Sequence, residues 1–582
     1  MAMADGSSRY GQPDKSCDIV LKGGITSGVV YPLALVSLAQ EYRFSNIGGT
    51  SAGAIAAAAA AAAEYGRHTE GAGFDRLAKI PNEVGVNLLA MFQPTPVLKP
   101  LFDIFVAALK AKGKIALVFA VMWAAVSGYF ASALLGLLPG VAVLVVARVY
   151  HCGAGFVAFG VLLALVGLIV GVLWRLWKAA SVDLVADGFG LCPGIRQPYS
   201  SSEGFTDWLA RLINEAAGRK AGDPPLTFGD LATPPGGRPP IQLAMMTTSL
   251  MEKCPHTLPL LKERPFVFEK GEWARIFPGW IMEFLTAKCD PFEPLAGETG
   301  EYYHFPDAAR LPIVVGARMS LSFPLLISGV PLWRRDFTLI GAERDRLRPC
   351  LFSDGGLSSN FPIHFFDRLM PNNPTFAISL DDYDAKRNYS DVWLPPTDEA
   401  SSGSQLPVLP FSGLGGFLMR LLVSAKDWQD NLQSVLPGYR ERIVHVALKP
   451  EEGGLNLTMD QATIQKLVGY GQKAGDTLRT EFDMDEHRWR RFLVAMARME
   501  ETLDDVANAY AGVPAAPETF AAFLARYPQA PAHYKQKPPI LAAMLARGAQ
   551  LDHSGVGWRV KPTIREGNIP RPATHLRITP KY

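Results

Sequence analysis

The stretch Phe44-Ser45-Asn46-Ile47-Gly48-Gly49-Thr50-Ser51-Ala52-Gly53, running on into alanines as far as Ala63, decides how this chain is read. A short apolar run ends in Gly-x-Ser-x-Gly, and a string of strong helix formers follows at once. A serine between two glycines, at a turn from strand to helix, is how proteins build an exposed nucleophile. The glycines allow a sharp turn and put no side chain in the path of an approaching carbonyl. The helix that opens at Ala52 aims its free N–H groups and positive dipole end at the same point. A plain turn serine would carry the same five letters, so the decision rests on the rest of the chain.

Two further segments supply it. Upstream, Asp18-Ile19-Val20-Leu21 reads as a buried strand that enters Lys22-Gly23-Gly24-Ile25-Thr26-Ser27-Gly28. A glycine-rich loop between strand and helix exposes backbone N–H groups, as an oxyanion hole requires. Downstream, Leu351-Phe352-Ser353 leads into Asp354-Gly355-Gly356, which sets a carboxylate at the end of another apolar run. Between them lies Arg318-Met319-Ser320-Leu321-Ser322-Phe323-Pro324. This order resembles the patatin-like phospholipases, over roughly residues 17–98 and 181–385.

The resemblance implies a three-layer α/β/α core and a Ser–Asp dyad, with Ser51 as nucleophile and Asp354 as its only partner. It implies oxyanion donors from the N–H groups of Gly23, Gly24 and Ile25, joined by Ala52, with Gly28, Gly49, Gly53, Gly355 and Gly356 shaping the loops. The reaction so implied is hydrolysis of a membrane phospholipid or another acyl lipid through an acyl-enzyme, with no metal and no cofactor. Ile25 stands where the family has a third glycine, and Ser27 where it has a basic residue. Stabilisation of negative charge then falls to backbone and helix. Dyad chemistry has a physical basis: an aspartate in water has a pKa near ~4 and is a weak base, and burial raises it toward neutral pH.

Two other readings stand beside this one. A Ser-His-Asp triad would recruit His364 or His445, although His445 sits within the strand-like Ile443-Val444-His445-Val446-Ala447 and reads as a packed strand residue. A non-catalytic lipid- or partner-binding module is the alternative of another class, and a neutral-lipid lipase the alternative substrate assignment.

Composition narrows the field. The 582 residues carry a net charge of +2, which gives no footprint for nucleic acid. Six scattered cysteines show no C-x-x-C spacing, so neither a zinc site nor a disulfide framework is expected. The first sixteen residues are polar and hold no signal-peptide core.

Hydrophobicity is concentrated in an insertion. No charged residue occurs from Ile115 to Ala147, nor from Gly153 to Trp174. A straight helix over the first run would be about 50 Å long against a hydrocarbon core of about 30 Å, so a break at Pro139-Gly140 is expected. Two transmembrane helices follow, about 115–137 and about 152–174. Because the insertion separates Ser51 from Asp354, the chain must return to the side it left, and the number of crossings is even. Lys110, Lys112 and Lys114 on one flank, with Arg175 and Lys178 on the other, set both flanks and the catalytic domain in the cytoplasm.

The expected organisation is a first core part at 17–98, a membrane insertion at 99–180 and a second core part at 181–450. A mainly helical region with a basic, Pro-containing tail from Trp558 completes it at 451–582. Residues 199–240 mix Ser, Gly, Pro and charge and read as a surface excursion, and Pro395 to Gly416 as a linker.

Overall fold

The structure is a computed structural model. It describes residues 10–572 and 574, apart from 12, 25–26, 112, 261–264, 296, 387–389, 397–405, 407, 409, 455, 513–517 and 528–534. The strands are β1 (Lys15–Leu21), β2 (Tyr42–Thr50), β3 (Gly190–Cys192), β4 (Gln242–Ser249), β5 (Cys254–Leu258), β6 (Val267–Glu269) and β7 (Pro291–Phe292). They continue with β8 (Tyr302–His304), β9 (Leu325–Ile327), β10 (Val330–Arg335), β11 (Leu347–Asp354), β12 (Thr375–Asp382), β13 (Val392–Trp393) and β14 (Ile443–Leu448). Helices of eight or more residues begin with α1 (Tyr31–Leu38), α2 (Ala52–Tyr65), α3 (Ile80–Met91), α4 (Lys99–Lys110), α5 (Lys114–Gly128), α6 (Phe130–Val149) and α7 (Ala154–Lys178). After them come α8 (Phe205–Ala216), α9 (Gly279–Lys288), α10 (Ile313–Ser320), α11 (Gly413–Ser434), α12 (Gln461–Glu481), α13 (Met484–Ala511) and α14 (Pro538–Gly557).

The protein is mixed α/β, built on one large mixed sheet. Its parallel half runs β14-β12-β1-β2-β4, and an antiparallel wing runs β11-β10-β6-β8-β7. The join between the halves positions the site. Met245 and Met246 of β4 pair with both β2 and β5, so those two strands lie on opposite edges of β4. Thr247 to Ser249 pair with both β5 and β11, so β11 shares the β2 edge. β2 and β11 therefore meet end to end: Thr50 lies opposite Met246, and Asp354 opposite Thr247, the next residue. One step along a strand is about 3.3 Å. Two strand ends far apart in sequence are thus neighbours in space.

Strand alternation splits the core in two. Ile19, Leu21, Leu243, Met245, Phe376 and Ile378 face the large cluster that also takes in α1, α2, α8, α10 and α12. Val20, Ala244, Ala377 and Ile443 face the other way, onto Phe361, Ile363 and Phe366. That second face is covered by the aromatic segment after Asp-Gly-Gly. Residues 199–240 are not a surface excursion throughout: Phe205, Trp208, Leu209, Leu212 and Ile213 fall at helical spacing and are buried in α8. α12 belongs to the same body, since Gly471 and Gly475 press against the carbonyls of Val30 and Ala34.

The insertion departs from the expected hairpin. Its first break falls at Tyr129, and Pro139 lies inside α6. The two helices long and apolar enough to cross a membrane are Phe130–Val149 and Ala154–Ala186, the second running on past α7. With 15 residues, α5 reaches about 22 Å and falls short of a bilayer core. Packing explains the shift. A Cβ on Gly136 would lie 2.1 Å from the Gly167 carbonyl oxygen, and one on Gly140 would lie 2.2 Å from the Ala164 nitrogen. Gly140 is spent on helix-to-helix contact and not on a turn, and a neighbouring helix makes an internal proline tolerable. Arg175 then ties the near ends together, bonding Asp183 at 2.7 Å and lying over the Tyr129 ring.

Candidate active site

Ser51 occupies the turn between β2 and α2 with φ 56° and ψ −127°, a conformation a side-chain-bearing residue rarely takes. Its neighbours make the strain possible. A Cβ on Gly49 would sit 2.3 Å from the Gly53 carbonyl oxygen, and one on Gly53 would sit 2.2 Å from the Leu21 oxygen. Glycine is thus needed at both positions so that the turn, α2 and β1 come into backbone contact. The Ser51 N–H donates to Ser320 Oγ at 3.1 Å, and that hydroxyl donates to the Met246 carbonyl at 2.6 Å. The serine-containing stretch before Pro324 therefore braces the elbow from α10.

Asp354 ends β11 and is buried, as is Ser51. Its Oδ1 accepts from the Gly356 N–H at 2.7 Å, while Oδ2 is buried with no hydrogen bond of good geometry. Burial pushes the carboxyl up to about 6, and the Ser51 hydroxyl, the Gly356 N–H and Lys426 pull the other way. Ser51 and Asp354 are thus brought into interaction without a well-formed hydrogen bond between them. Gly355 makes the abutment of strands possible, since its Cβ would meet the Met246 oxygen at 2.0 Å.

The glycine loop lies against this pair. A Cβ on Gly23 would sit 3.1 Å from Ser51 Cβ, and one on Gly28 would sit 3.4 Å from Ala52 Cβ. The Gly23 N–H is already taken, because it donates to the Asn360 carbonyl at 2.8 Å. Among the described residues, the N–H groups of Gly24 and Ala52 make no such loop bond. Ile25 lies outside the described residues.

Neither histidine joins Ser51. His445 is on β14, three strands from β2, or about 14 Å at the usual spacing. It bonds Asp381 at 2.7 Å and stacks on Trp393. His364 is held within the aromatic segment, edge-on to Phe365. Lys22, directly before the loop, donates to Asp381 at 2.9 Å and Ser379 at 3.1 Å. Burial alone would raise the Asp381 carboxyl, yet Lys22 and His445 hold it well below the carboxylate range.

An apolar cavity of about 660 Å³, its open mouth included, runs from Gly28 and Ala52 along α2 to Ala59, walled by Ile80 and Met91 of α3 and Trp208 of α8. The seven helical steps from Ala52 to Ala59 span about 10 Å. Sequence reasoning missed this wall, although the 3–4 spacing of large apolar residues in 205–213 was the signal for it. A separate polar cluster, Glu252, Cys254 and His256, is a hydrogen-bonded network in which Arg334 bonds Glu252 at 2.6 Å.

The geometry is that of a strained serine set against a buried carboxylate at a strand–helix elbow. No known family model matches the chain. It is 33% identical to the "RpoH suppressor" of Rhizobium meliloti (strain 1021) over 648 aligned positions, covering 98% of this chain and 99% of that protein. The chain belongs to that protein's family. A crystal structure of VipD from Legionella pneumophila aligns over 93% of this chain and 85% of its own, at 11% identity and a TM-score of 0.29.

Proposed function

We propose that this chain is a membrane-anchored serine lipid acyl hydrolase on a patatin-like three-layer core, with a Ser51–Asp354 dyad. The observation that carries it is the Ser51 elbow at φ 56° set against an Asp354 carboxyl that burial raises to about 6. Ser51 Oγ attacks the ester carbonyl while Asp354 takes its proton, and the oxyanion forms near the α2 N-terminus and the Ala52 N–H. The proton then passes to the leaving alcohol, and water releases the fatty acid. The cavity beside Ala52 suits the acyl chain of the substrate.

The hairpin α6–α7 holds the enzyme on the surface that carries its substrate, with the catalytic body in the cytoplasm. A phospholipid is the first substrate and a neutral lipid the next. A fluorophosphonate probe should label the intact protein and spare Ser51→Ala. Failure to label in a membrane environment would favour the non-catalytic lipid-binding reading, in which the occupied Gly23 N–H is the resting arrangement.

A further inference from the structure

Helix α11 is inside out. Its large apolar residues Leu414, Phe417, Leu418, Leu421, Trp428 and Leu432 recur at helical spacing and form one stripe, and they are between 43% and 74% exposed. Such a stripe ordinarily turns to a core, and here it turns to solvent. Asp430 lies half a turn round and is buried. It accepts from Ser359 Oγ at 2.7 Å, the Asn360 N–H at 2.6 Å and the Phe361 N–H at 3.0 Å. Lys426, on the same inward side, acts on the Asp354 carboxyl. The polar side of this helix thus grips the segment that follows Asp-Gly-Gly, and the carbonyl of Asn360 in that segment occupies the Gly23 N–H.

We propose that the outward face of α11 docks on the lipid bilayer. We further propose that docking draws Asp430 off Asn360 and Phe361, which frees the Gly23 N–H to serve the oxyanion. The occupant is argued from the chain itself. It carries two helices long and apolar enough to cross a membrane, so a bilayer is the surface this face meets at high effective concentration. Leucine with Phe and Trp is the composition of helices that lie in the interface. The coupling to Gly23 rests on the hydrolase reading, whereas the docking does not.

Two measurements on the full chain in phosphatidylcholine nanodiscs test it. Lipids with a diazirine in the acyl chain should leave adducts in 413–434 as well as in 130–178, located by mass spectrometry. Adducts in the hairpin but none in α11, or adducts in neither, would overturn the docking. So would a zero-length cross-link joining two copies through α11. In amide hydrogen exchange, Asn360 and Phe361 should exchange several-fold faster in the native chain than in a Leu418→Asp/Leu421→Asp variant in the same discs. Equal rates would overturn the coupling. Neither readout needs turnover, so loss of the hydrolase reading would show separately, as absence of fluorophosphonate labelling.

Discussion

Two carboxylates, Asp354 buried and Asp381 partly exposed, stand at the same end of one sheet and have opposite electrostatics. Asp354, at the end of β11, has one oxygen on a backbone N–H and the other without a well-formed bond. Asp381, near the end of β12, has Lys22 and the Ser379 hydroxyl on one oxygen and His445 on the other. Both feel burial as the largest influence, and both are pushed up by it. Partners then decide the outcome: Asp354 remains near 6, while Asp381 is driven well below the usual range. A carboxylate removed from water and left short of cations holds its proton toward neutral pH, and one well supplied with them stays an anion.

On the proposed hydrolase reading, the largest effect should come from removing Asp354. Asp354→Asn should cut hydrolysis by about 10²- to 10⁴-fold, the usual worth of a positioned general base. On the same reading, activity should fall as pH drops through about 6, because a carboxyl already protonated cannot take the Ser51 proton. Stability should move the other way. A folded pKa raised from 3.8 to about 6 means the folded state binds the proton more tightly, so Asp354 favours folding below the unfolded pKa. That contribution is lost as pH rises from about 4 through about 6, and two pKa units correspond to about 3 kcal/mol. Asp354→Asn should therefore be as stable as the native protein at low pH and up to about 3 kcal/mol more stable at pH 8, by denaturant unfolding of the two. A variant without added stability at pH 8 would remove the contrast between the two sites.

Asp381→Asn should do the reverse. Its folded pKa is depressed, so its stabilisation is present above the unfolded value near ~4 and is lost as pH falls further. Replacing it strands the half-buried Lys22 beside the glycine loop. The expected cost is about 1–3 kcal/mol at neutral pH, with activity per folded molecule changed far less than in Asp354→Asn. Denaturation midpoints at pH 7, read beside probe labelling of the remaining folded protein, separate the two effects.

How much of this was legible beforehand varies by region. The elbow, the glycine loop and the Asp-Gly-Gly turn carried their own signals, because backbone contacts at Gly49, Gly53 and Gly355 tolerate only glycine. The apolar insertion was legible too, and it holds two helices long and apolar enough to cross a membrane. Its break was not, since Pro139-Gly140 reads as a turn until Ala164 is seen filling the space a side chain would need. The state of the Gly23 N–H was also hidden, for it depends on Asn360, more than three hundred residues away. Helix α11 escaped because Gly413, Gly415 and Gly416 open it and mimic a linker.

His445 gives the smallest and most discriminating expectation. It is a histidine a triad would have enlisted, yet it bonds Asp381 and not Asp354. His445→Ala removes one partner of Asp381 and leaves Lys22 and Ser379 in place, so one hydrogen bond and the stacking on Trp393 are lost. The expected cost is about 1–2 kcal/mol in unfolding free energy. Hydrolysis by the folded protein should stay within about twofold of native, as it does for residues that share no partner with the reacting groups. A fall as large as that of Asp354→Asn would mean that the imidazole reaches Ser51 during turnover. The distinction between the two carboxylates would then dissolve, because Asp381 would be orienting a base instead of filling a salt-bridged corner of the sheet.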